Sequence, residues 1–303
     1  VEMGYEELTP IQELAIPHIL SGRDLVGLAE TGSGKTGACG VPLVQMVDPE
    51  LNELQALILV PTRELAQQYV AELAAISKYT KVAPFAMFGG FDMDIQRAKL
   101  KDKVHILVAT PGRLIDYVWN NPLPLNHIRT MVLDEADEML KMGFVENVDF
   151  VLSCLLHEHQ TLLFSATMPK EVDRLAKSYL NDPIRSKLIR DQTIPQSLTH
   201  HFEHVAFRDR QKALESYLQR EEIAQAIIFC NSRAGGSRLA KDLKPNFKSV
   251  DYLHGGLEQP QRTAIFNRFR KKDILLLVAT DVAGRGLDFD HVSHVINYDF
   301  PMS

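Results

Sequence analysis

Short apolar runs alternate with amphipathic helical patterns along the chain, and this alternation constrains the fold more than any other feature. In the first half the runs lie at 24–29, 56–60, 105–110, 130–134 and 161–167. Between them lie longer segments with apolar residues three and four positions apart, such as 62–79 with Leu65, Tyr69, Leu73 and Ile76. Buried parallel strands have near-continuous apolar runs, so the pattern predicts a doubly wound α/β fold with a parallel sheet.

A second series of runs occupies the other half of the chain, at 200–207, 226–231, 249–254, 274–280 and 294–300. Between the two series lies a polar segment that contains Pro195 and fits neither the helical nor the strand period. A chain of 303 residues is also long enough for two domains. We therefore predict two similar α/β domains in tandem, residues 1–187 and 197–303, joined by a linker at 188–196.

Several classes of protein are disfavoured by composition. No apolar run approaches the roughly 18 residues of a membrane helix, and the amino terminus lacks a signal pattern. Cys39, Cys154 and Cys230 lie far apart, so neither a disulfide framework nor a zinc site is indicated. The histidines of the segment 200–204 alternate as in some metal sites, but an edge strand explains them better without nearby cysteines or paired carboxylates. We expect a cytoplasmic, reducing location.

The net charge of −6 argues against a generally basic surface for polyanion binding. The negative charge lies in residues 1–187, so a polyanion there would have to be held by local groups. The asymmetry is equally compatible with an ordinary solvated surface.

A glycine-rich segment, AETGSGKT at residues 29–36, follows the first apolar run and precedes a helical pattern. Gly32 and Gly34 allow backbone N–H groups to turn toward phosphate oxygens, and the helix adds its positive end. Lys35 would reach the β- and γ-phosphates, and the Thr36 hydroxyl would bind Mg²⁺. The alternative is a glycine-rich turn that happens to carry a lysine. The candidate phosphate-binding residues are Ala29, Glu30, Thr31, Gly32, Ser33, Gly34, Lys35 and Thr36.

Three carboxylates follow the apolar run at 130–133. Asp134 is placed to hold a metal ion, Glu135 to act as a base on an attacking water, and Asp137, a turn later, to tether another segment. Acidic residues also stabilise helix starts, but this alternative explains one or two acids better than three.

The sequence Asp134-Glu135-Ala136-Asp137 resembles the motif of the DEAD-box ATP-dependent RNA helicase family. Other family-like motifs occur in order, at 4–12, 61–66, 89–90, 110–113, 165–167, 227–233 and 279–288, with His254, Gly255, Gln259 and Arg262 between the last two. This resemblance implies two tandem RecA-like domains. It also implies a following arginine-rich motif that the 303 residues do not contain, so we expect a helicase core trimmed at both ends and weakly active as given.

The resemblance assigns roles to individual residues. For catalysis it implies Lys35, Asp134 and Glu135, and for Mg²⁺ Thr36 and Asp134. For ATP it implies Gln12, residues 29–36 and Asp288. For RNA it implies Thr62, Arg63, Gly90, Thr110, Gly112, Arg113, Arg262 and Thr280. For coupling between the domains it implies Asp137, Ser165 and Thr167.

The expected function is RNA-stimulated ATP hydrolysis coupled to local unwinding of short RNA duplexes or to remodelling of ribonucleoproteins. The expected partners are single-stranded or short duplex RNA and proteins of such particles, with a monomeric core. Two alternatives remain: an ATP-gated RNA clamp, which would have the same motifs but unwind little, and a DNA translocase on the same fold, against which the spelling of the motifs argues.

Overall fold

A computed structural model describes residues 7–30, 32–121, 123–187, 198–247, 249–280 and 291–300. The chain divides into two compact units, Val1–Pro195 and Gln196–Ser303. The predicted linker, 188–196, lies outside the described residues.

The first unit contains a seven-stranded sheet and the helices that cover it. Its strands are β1 (Leu25–Leu28), β2 (Ala56–Leu59), β3 (Pro84–Met87), β4 (Ile106–Ala109), β5 (Thr130–Leu133), β6 (Gln160–Ser165) and β7 (Ile184–Lys187). Its helices are α1 (Pro10–Leu20), α2 (Lys35–Met46), α3 (Arg63–Ile76), α4 (Met93–Lys101), α5 (Pro111–Asn120), α6 (Ala136–Lys141), α7 (Val145–Ser153) and α8 (Lys170–Tyr179).

All neighbouring strands of this sheet are parallel, in the order β3-β4-β2-β5-β6-β1-β7. The five predicted runs form β1, β2, β4, β5 and β6, which confirms the predicted parallel α/β fold. The sheet also has two edge strands, β3 and β7, that the sequence pattern did not predict. Parallel pairing brings the carboxyl ends of all seven strands to one edge of the sheet.

Both faces of the sheet are buried, which explains the continuous apolar runs. Along β2, Leu57 and Leu59 belong to the core on one face, while Ala56 and Ile58 belong to the core on the other. Helix α3 buries Tyr69 in the second of these cores, as its spacing predicted.

Asp24, just before β1, joins three strands at the amino-terminal edge of the sheet. Its carboxylate accepts hydrogen bonds from the N–H of Thr161 (2.8 Å) and of Asn181 (2.7 Å). The buried carboxylate thus pairs with two backbone donors and links β1 to β6 and to the segment before β7.

The second unit has a four-stranded parallel sheet in the order β11-β8-β10-β9. Its strands are β8 (Ala226–Cys230), β9 (Val250–Leu253), β10 (Leu276–Thr280) and β11 (His294–Asn297). Its helices are α9 (Arg210–Arg220), α10 (Arg233–Leu243) and α11 (Gln259–Arg270). Four of the five predicted runs form these strands.

The fifth prediction, a strand over residues 200–207, was wrong. Residues 200–206 have no regular secondary structure, and Phe207–Asp209 forms a 3₁₀-helix. Phe202 is 88% exposed, so alternation of apolar and polar residues did not produce a buried face there. A strand also needs a partner for its backbone groups, and no strand of the described residues pairs with this segment.

The described residues include no cluster of three or more His, Cys, Asp or Glu side chains arranged to bind a metal ion. None of the described helices has the length and apolar character that a membrane span requires.

We predict that Gly27→Ala destabilises the first unit by about 1–3 kcal/mol through overpacking. Gly27 lies within β1, and a Cβ there would be 2.7 Å from Cδ1 of the fully buried Phe164. Urea unfolding followed by fluorescence would report on this unit, because Trp119 is the one tryptophan of the chain.

Two controls accompany this measurement. At Gly112 a Cβ meets no atom closer than 3.9 Å, so Gly112→Ala should leave the unfolding midpoint nearly unchanged. Combining Gly27→Ala with Phe164→Leu should cost less than the sum of the two single changes, because the smaller side chain removes the clash. Additive effects would contradict the overpacking explanation.

Candidate functional site

The phosphate loop (residues 29–36) connects β1 to α2 at the carboxyl edge of the first sheet. Gly32 and Gly34 have φ angles of +79° and +92°, the left-handed region that glycine adopts without steric cost. A Cβ at Gly34 would also lie 2.7 Å from Oγ1 of Thr9 and 2.8 Å from Nε2 of Gln12. Gly34 is therefore required both by its backbone conformation and by the close approach of α1.

The predicted adenine-binding residue Gln12 lies beside this loop. Its Nε2 donates a hydrogen bond to the carbonyl oxygen of Gly34 (3.2 Å), and its Oε1 accepts one from the N–H of Thr9 (3.0 Å). Of the other loop residues, Glu30 is exposed, Ser33 and Thr36 are partly buried, and Thr31 lies outside the described residues.

Lys35 and Asp134 come together although 98 residues of chain separate them. The Lys35 side chain is buried; its Nζ lies 3.6 Å from Oδ1 of Asp134 and donates a hydrogen bond to the carbonyl oxygen of Ala29 (3.2 Å). A buried charge is costly unless it is paired, so each of these groups compensates the other. The pair joins the phosphate loop to the end of β5.

Two further donors hold the Asp134 carboxylate. Its Oδ1 accepts the N–H of Glu135 (2.8 Å), and its Oδ2 accepts the Tyr69 hydroxyl (3.0 Å). Burial and the nearby negative charge of Asp134 raise the pKa of the Tyr69 hydroxyl well above its ordinary value. The same two causes raise the pKa of the Cys39 thiol, which lies next to Tyr69. The sequence pattern identified Tyr69 only as a core residue of α3, because helical spacing carries no information on the partner of a hydroxyl.

Glu135 occupies an unusual backbone conformation at the start of α6. Its φ and ψ angles are 54° and 48°, in the left-handed region that residues other than glycine seldom adopt. The side chain is nonetheless largely buried. Such strain is characteristic of functional sites, and here it makes the chain turn sharply between two adjacent carboxylates.

Asp137 binds the segment 165–167 that follows β6, as the sequence predicted for a tethering acid. Its carboxylate accepts hydrogen bonds from the hydroxyls of Ser165 (2.8 Å) and Thr167 (2.7 Å) and from the N–H of Thr167 (3.1 Å). Burial acts to raise the pKa of Asp137, but the hydrogen bonds from Thr167, Ser165 and the Ala166 N–H hold it below its ordinary value.

Two helices of the first unit begin at the residues predicted to contact RNA. Thr62 caps α3, where its hydroxyl accepts the N–H of Leu65 (3.2 Å), and Thr110 immediately precedes α5. The backbone N–H groups at such helix starts are available to phosphate oxygens. Gly112 lies in the first turn of α5, where the absence of a side chain keeps the backbone accessible.

The loop 88–92 connects β3 to α4 and lies against both predicted arginines. A Cβ at Gly89 would be 3.2 Å from a guanidinium nitrogen of Arg63, and Arg113 donates a hydrogen bond to the carbonyl oxygen of Phe91 (3.2 Å). Gly90 has a φ angle of +87°. The side-chain amide nitrogen of the buried Gln96 lies within hydrogen-bonding distance of three carbonyl oxygens of the same loop, those of Phe88, Phe91 and Asp92. Sequence analysis did not identify Gln96, since a glutamine in a polar helix gives no distinguishing signal.

In the second unit, Thr280 is the last residue of β10 and Arg262 lies in α11. Burial lowers the pKa of His254, and the positive charges of Arg233 and Arg262 lower it further. Arg233 also lies near Gly255 and Gly256, where a Cβ would be 3.7 Å and 3.2 Å from its guanidinium nitrogens. Arg233 belongs to a motif that the sequence indicated, but it was not among the predicted contacts. Asp288 lies outside the described residues.

The donor set of the first unit fits the chemistry of a magnesium nucleotide. Mg²⁺ prefers oxygen ligands and is usually held by one or two carboxylates together with substrate phosphates. The Asp134 carboxylate and the Thr36 hydroxyl are oxygen donors of this kind, and the loop before Thr36 supplies backbone N–H groups. A clustered three-carboxylate site is not needed for this mode of binding.

Comparison with known proteins extends these observations. Residues 9–175 match the family described as DEAD/DEAH box helicase, and residues 209–303 match the helicase conserved C-terminal domain. The DEAD-box ATP-dependent RNA helicase CshA of Bacillus cereus is 40% identical over 299 residues, which is 99% of this chain and 57% of that protein. The ATP-dependent RNA helicase DbpA of Bacillus subtilis is 38% identical over 300 residues, which is 99% of this chain and 63% of that protein. The chain thus spans about three fifths of the length of these relatives.

Solved structures are similar as well. S. cerevisiae Dbp5 bound to RNA and ADP BeF3 has a TM-score of 0.89 and 29% identity, with 99% of this chain and 77% of that chain covered. A DEAD box protein from Methanococcus jannaschii has a TM-score of 0.60 and 36% identity, with coverage of 99% and 81%.

We predict that Asp137→Asn lowers the free energy of unfolding by about 1.5–3 kcal/mol at pH 7, the range for hydrogen bonds to a charged group. Because the pKa of Asp137 is lower in the folded state, its contribution is present above the unfolded value of about 4 and is lost as the pH falls through the folded value. The difference between the two proteins should therefore shrink below about pH 4. Urea unfolding between pH 7.5 and 3.5, followed by Trp119 fluorescence, measures it.

Asp173→Asn is the matched control. Asp173 forms exposed ion pairs with Lys177 and Arg185 in the same unit. Exposed pairs contribute little and are screened by salt, so this change should have a smaller effect that disappears at high ionic strength. If the effect of Asp137→Asn were as small as that of Asp173→Asn and equally sensitive to salt, this would contradict the burial of Asp137 in its hydrogen-bond network.

Proposed function

Because the chain belongs to the DEAD/DEAH box helicase family, we propose that it is an RNA-dependent ATPase that couples hydrolysis of Mg·ATP to local unwinding of short RNA duplexes or to remodelling of ribonucleoproteins. The observation that carries the proposal is the buried pair of Lys35 and Asp134, 3.6 Å apart, with Glu135 beside it. A phosphate loop, a metal-binding carboxylate and an adjacent base are the groups that phosphoryl transfer to water requires.

Nucleotide binding is assigned to the first unit. Gln12 would hold the adenine, and its hydrogen bond to Gly34 would link the base to the loop that holds the phosphates. Lys35 would exchange its present contacts with Ala29 and Asp134 for the β- and γ-phosphates. Thr36 and Asp134 would hold Mg²⁺, which when bound neutralises charge on the β- and γ-phosphate oxygens.

Hydrolysis is assigned to Glu135. Its left-handed backbone conformation separates its side chain from that of Asp134, so that one carboxylate can serve the metal while the next orients a water molecule. A base adjacent to the metal-binding residue would accept a proton from the water that attacks the γ-phosphate, without moving the metal site.

RNA binding is assigned to the carboxyl edge of each sheet. The first unit offers backbone N–H groups, small side chains and guanidinium groups at this edge, from Thr62, Arg63, Gly90 and the start of α5. Such contacts recognise the phosphate backbone rather than the bases, and they explain how an acidic domain binds a polyanion. The remaining residues of this assignment are Thr110, Gly112, Arg113, Arg262 and Thr280, with Asp288 assigned to the nucleotide ribose.

The coupling of hydrolysis to RNA is assigned to Asp137, Ser165 and Thr167. Their network joins the start of α6, next to Glu135, to the segment that leaves β6. A change at the γ-phosphate would therefore alter the position of that segment through hydrogen bonds already present.

The function is tested on a longer chain that includes the arginine-rich motif, by measuring ATP hydrolysis with no polynucleotide, with single-stranded RNA and with DNA of the same sequence. We expect stimulation by RNA that exceeds stimulation by DNA. Stimulation by DNA alone would favour a translocase, and stimulation by RNA without strand separation would favour an RNA clamp.

We predict that, in a longer chain that includes the arginine-rich motif, Glu135→Gln reduces ATP hydrolysis by about two orders of magnitude or more, because the amide cannot accept a proton from water. Binding of ATP should persist, since size and hydrogen bonding are retained. Glu138→Gln, in the next turn of α6, is the matched control and should leave turnover within about twofold of the unsubstituted protein. Turnover by Glu135→Gln within the same range would show that Glu135 is not the base.

We also predict that Lys35→Ala weakens the binding of Mg·ATP by roughly 1.5–3 kcal/mol, because a charge-assisted contact is lost. Binding of RNA without nucleotide should be unchanged. The control Lys177→Ala, which removes a lysine from an exposed ion pair, should change neither the nucleotide affinity nor the RNA affinity. Nucleotide and RNA affinities measured by fluorescence would separate the two activities. Equal loss of both would indicate misfolding rather than a nucleotide contact.

A further inference from the structure

A chain of buried polar groups lies behind the Asp134 carboxylate, on the side away from Lys35. Tyr69, in α3, is fully buried, and its hydroxyl donates a hydrogen bond of 3.0 Å to Oδ2 of Asp134. The thiol of Cys39, in α2, lies beside the same hydroxyl.

Both oxygens of Asp134 are therefore engaged. The N–H of Glu135 and the Lys35 ammonium group approach Oδ1, at 2.8 Å and 3.6 Å, while Tyr69 approaches Oδ2. These contacts come from three different elements, so the carboxylate cannot rotate without losing at least one of them. Tyr69 is the contact that defines the position of the second oxygen.

The arrangement also connects the carboxylate to the helix of the phosphate loop. Lys35 and Cys39 are four residues apart in α2 and thus lie on one face of that helix. Lys35 approaches Oδ1 of Asp134 directly. Cys39 lies beside Tyr69, whose hydroxyl donates to Oδ2. Helices α2 and α3 both face the end of β5 through these side chains.

We propose that Tyr69 is a positioning residue for Mg·ATP, which holds the Asp134 carboxylate in the orientation needed to bind the metal ion. This inference rests on the proposed nucleotide site. A packing role alone would require only the aromatic ring, whereas the buried hydroxyl has a specific charged partner. Groups that hydrogen-bond a metal-binding carboxylate commonly change metal affinity by about 10- to 100-fold when removed.

The test is Tyr69→Phe, which keeps the ring and removes the hydroxyl. Magnesium is titrated into the protein with a fluorescent ATP analogue, and nucleotide binding in EDTA is measured separately. We expect the magnesium concentration at half-maximal binding to rise about tenfold, while binding of the metal-free analogue stays within about twofold. At saturating magnesium, kcat should return toward that of the unsubstituted protein.

Tyr179→Phe is the matched control, because the Tyr179 hydroxyl likewise donates to an aspartate, Asp149 (2.8 Å), elsewhere in the same unit. It should leave the magnesium dependence unchanged. If Tyr69→Phe also leaves it unchanged, or makes magnesium bind more tightly, the positioning role is excluded.

A double substitution tests whether Tyr69 acts through Asp134. In an Asp134→Asn background, Tyr69→Phe should weaken magnesium-dependent binding no further, and an additional tenfold loss would overturn the proposal. Failure of the nucleotide site itself is distinguishable, since the unsubstituted protein would then show no magnesium-dependent binding of the analogue.

Discussion

Parallel pairing of the strands is the constraint on which the rest of the first unit depends. Because β1, β5 and β6 run in the same direction and lie side by side, the segments that follow them meet at one edge of the sheet. That edge is where the phosphate loop, the three carboxylates and the segment 165–167 are found. The amino-terminal edge serves stability instead, as the hydrogen bonds of Asp24 illustrate.

Electrostatics determines how this edge can hold charged groups within a largely buried environment. Lys35 and Asp134 compensate each other, and each carboxylate oxygen of Asp134 has additional donors. Asp137 has no cation in direct contact among the described residues and is compensated by hydroxyls and backbone N–H groups. In the proposed nucleotide site, a bound phosphate would compete with Asp134 for the lysine, so that ligand binding would rearrange this network.

The errors of sequence analysis concern segments for which pairing with a neighbouring strand, rather than the hydrophobic pattern of the segment itself, decides whether a strand forms. The edge strand β7 was missed because IRSK is not a continuous apolar run, and β3 was missed although PFAM is apolar, because proline is typical of segments outside strands. Residues 200–207 were predicted as a strand from alternation, yet no strand of the described residues pairs with them. Alternation of apolar and polar residues shows that a segment could form a half-buried strand. Whether the strand forms depends on a neighbouring strand with which its backbone can pair. The strands flanked by neighbours on both sides were predicted well, because burial on both faces leaves a continuous apolar run.

The sequence by itself determined the parallel α/β fold of each unit, the phosphate loop and the candidate roles of Lys35, Asp134 and Glu135, because these depend on periodicity and on residues close together in the chain. Only the tertiary structure decided which groups the carboxylates contact. Tyr69 and Asp134 are 65 positions apart, and their hydrogen bond exists because α3 packs over the end of β5. Asp137 and Thr167 likewise meet through the adjacency of β5 and β6. Strand order and helix packing set such distances, and no local pattern in the chain encodes either of them.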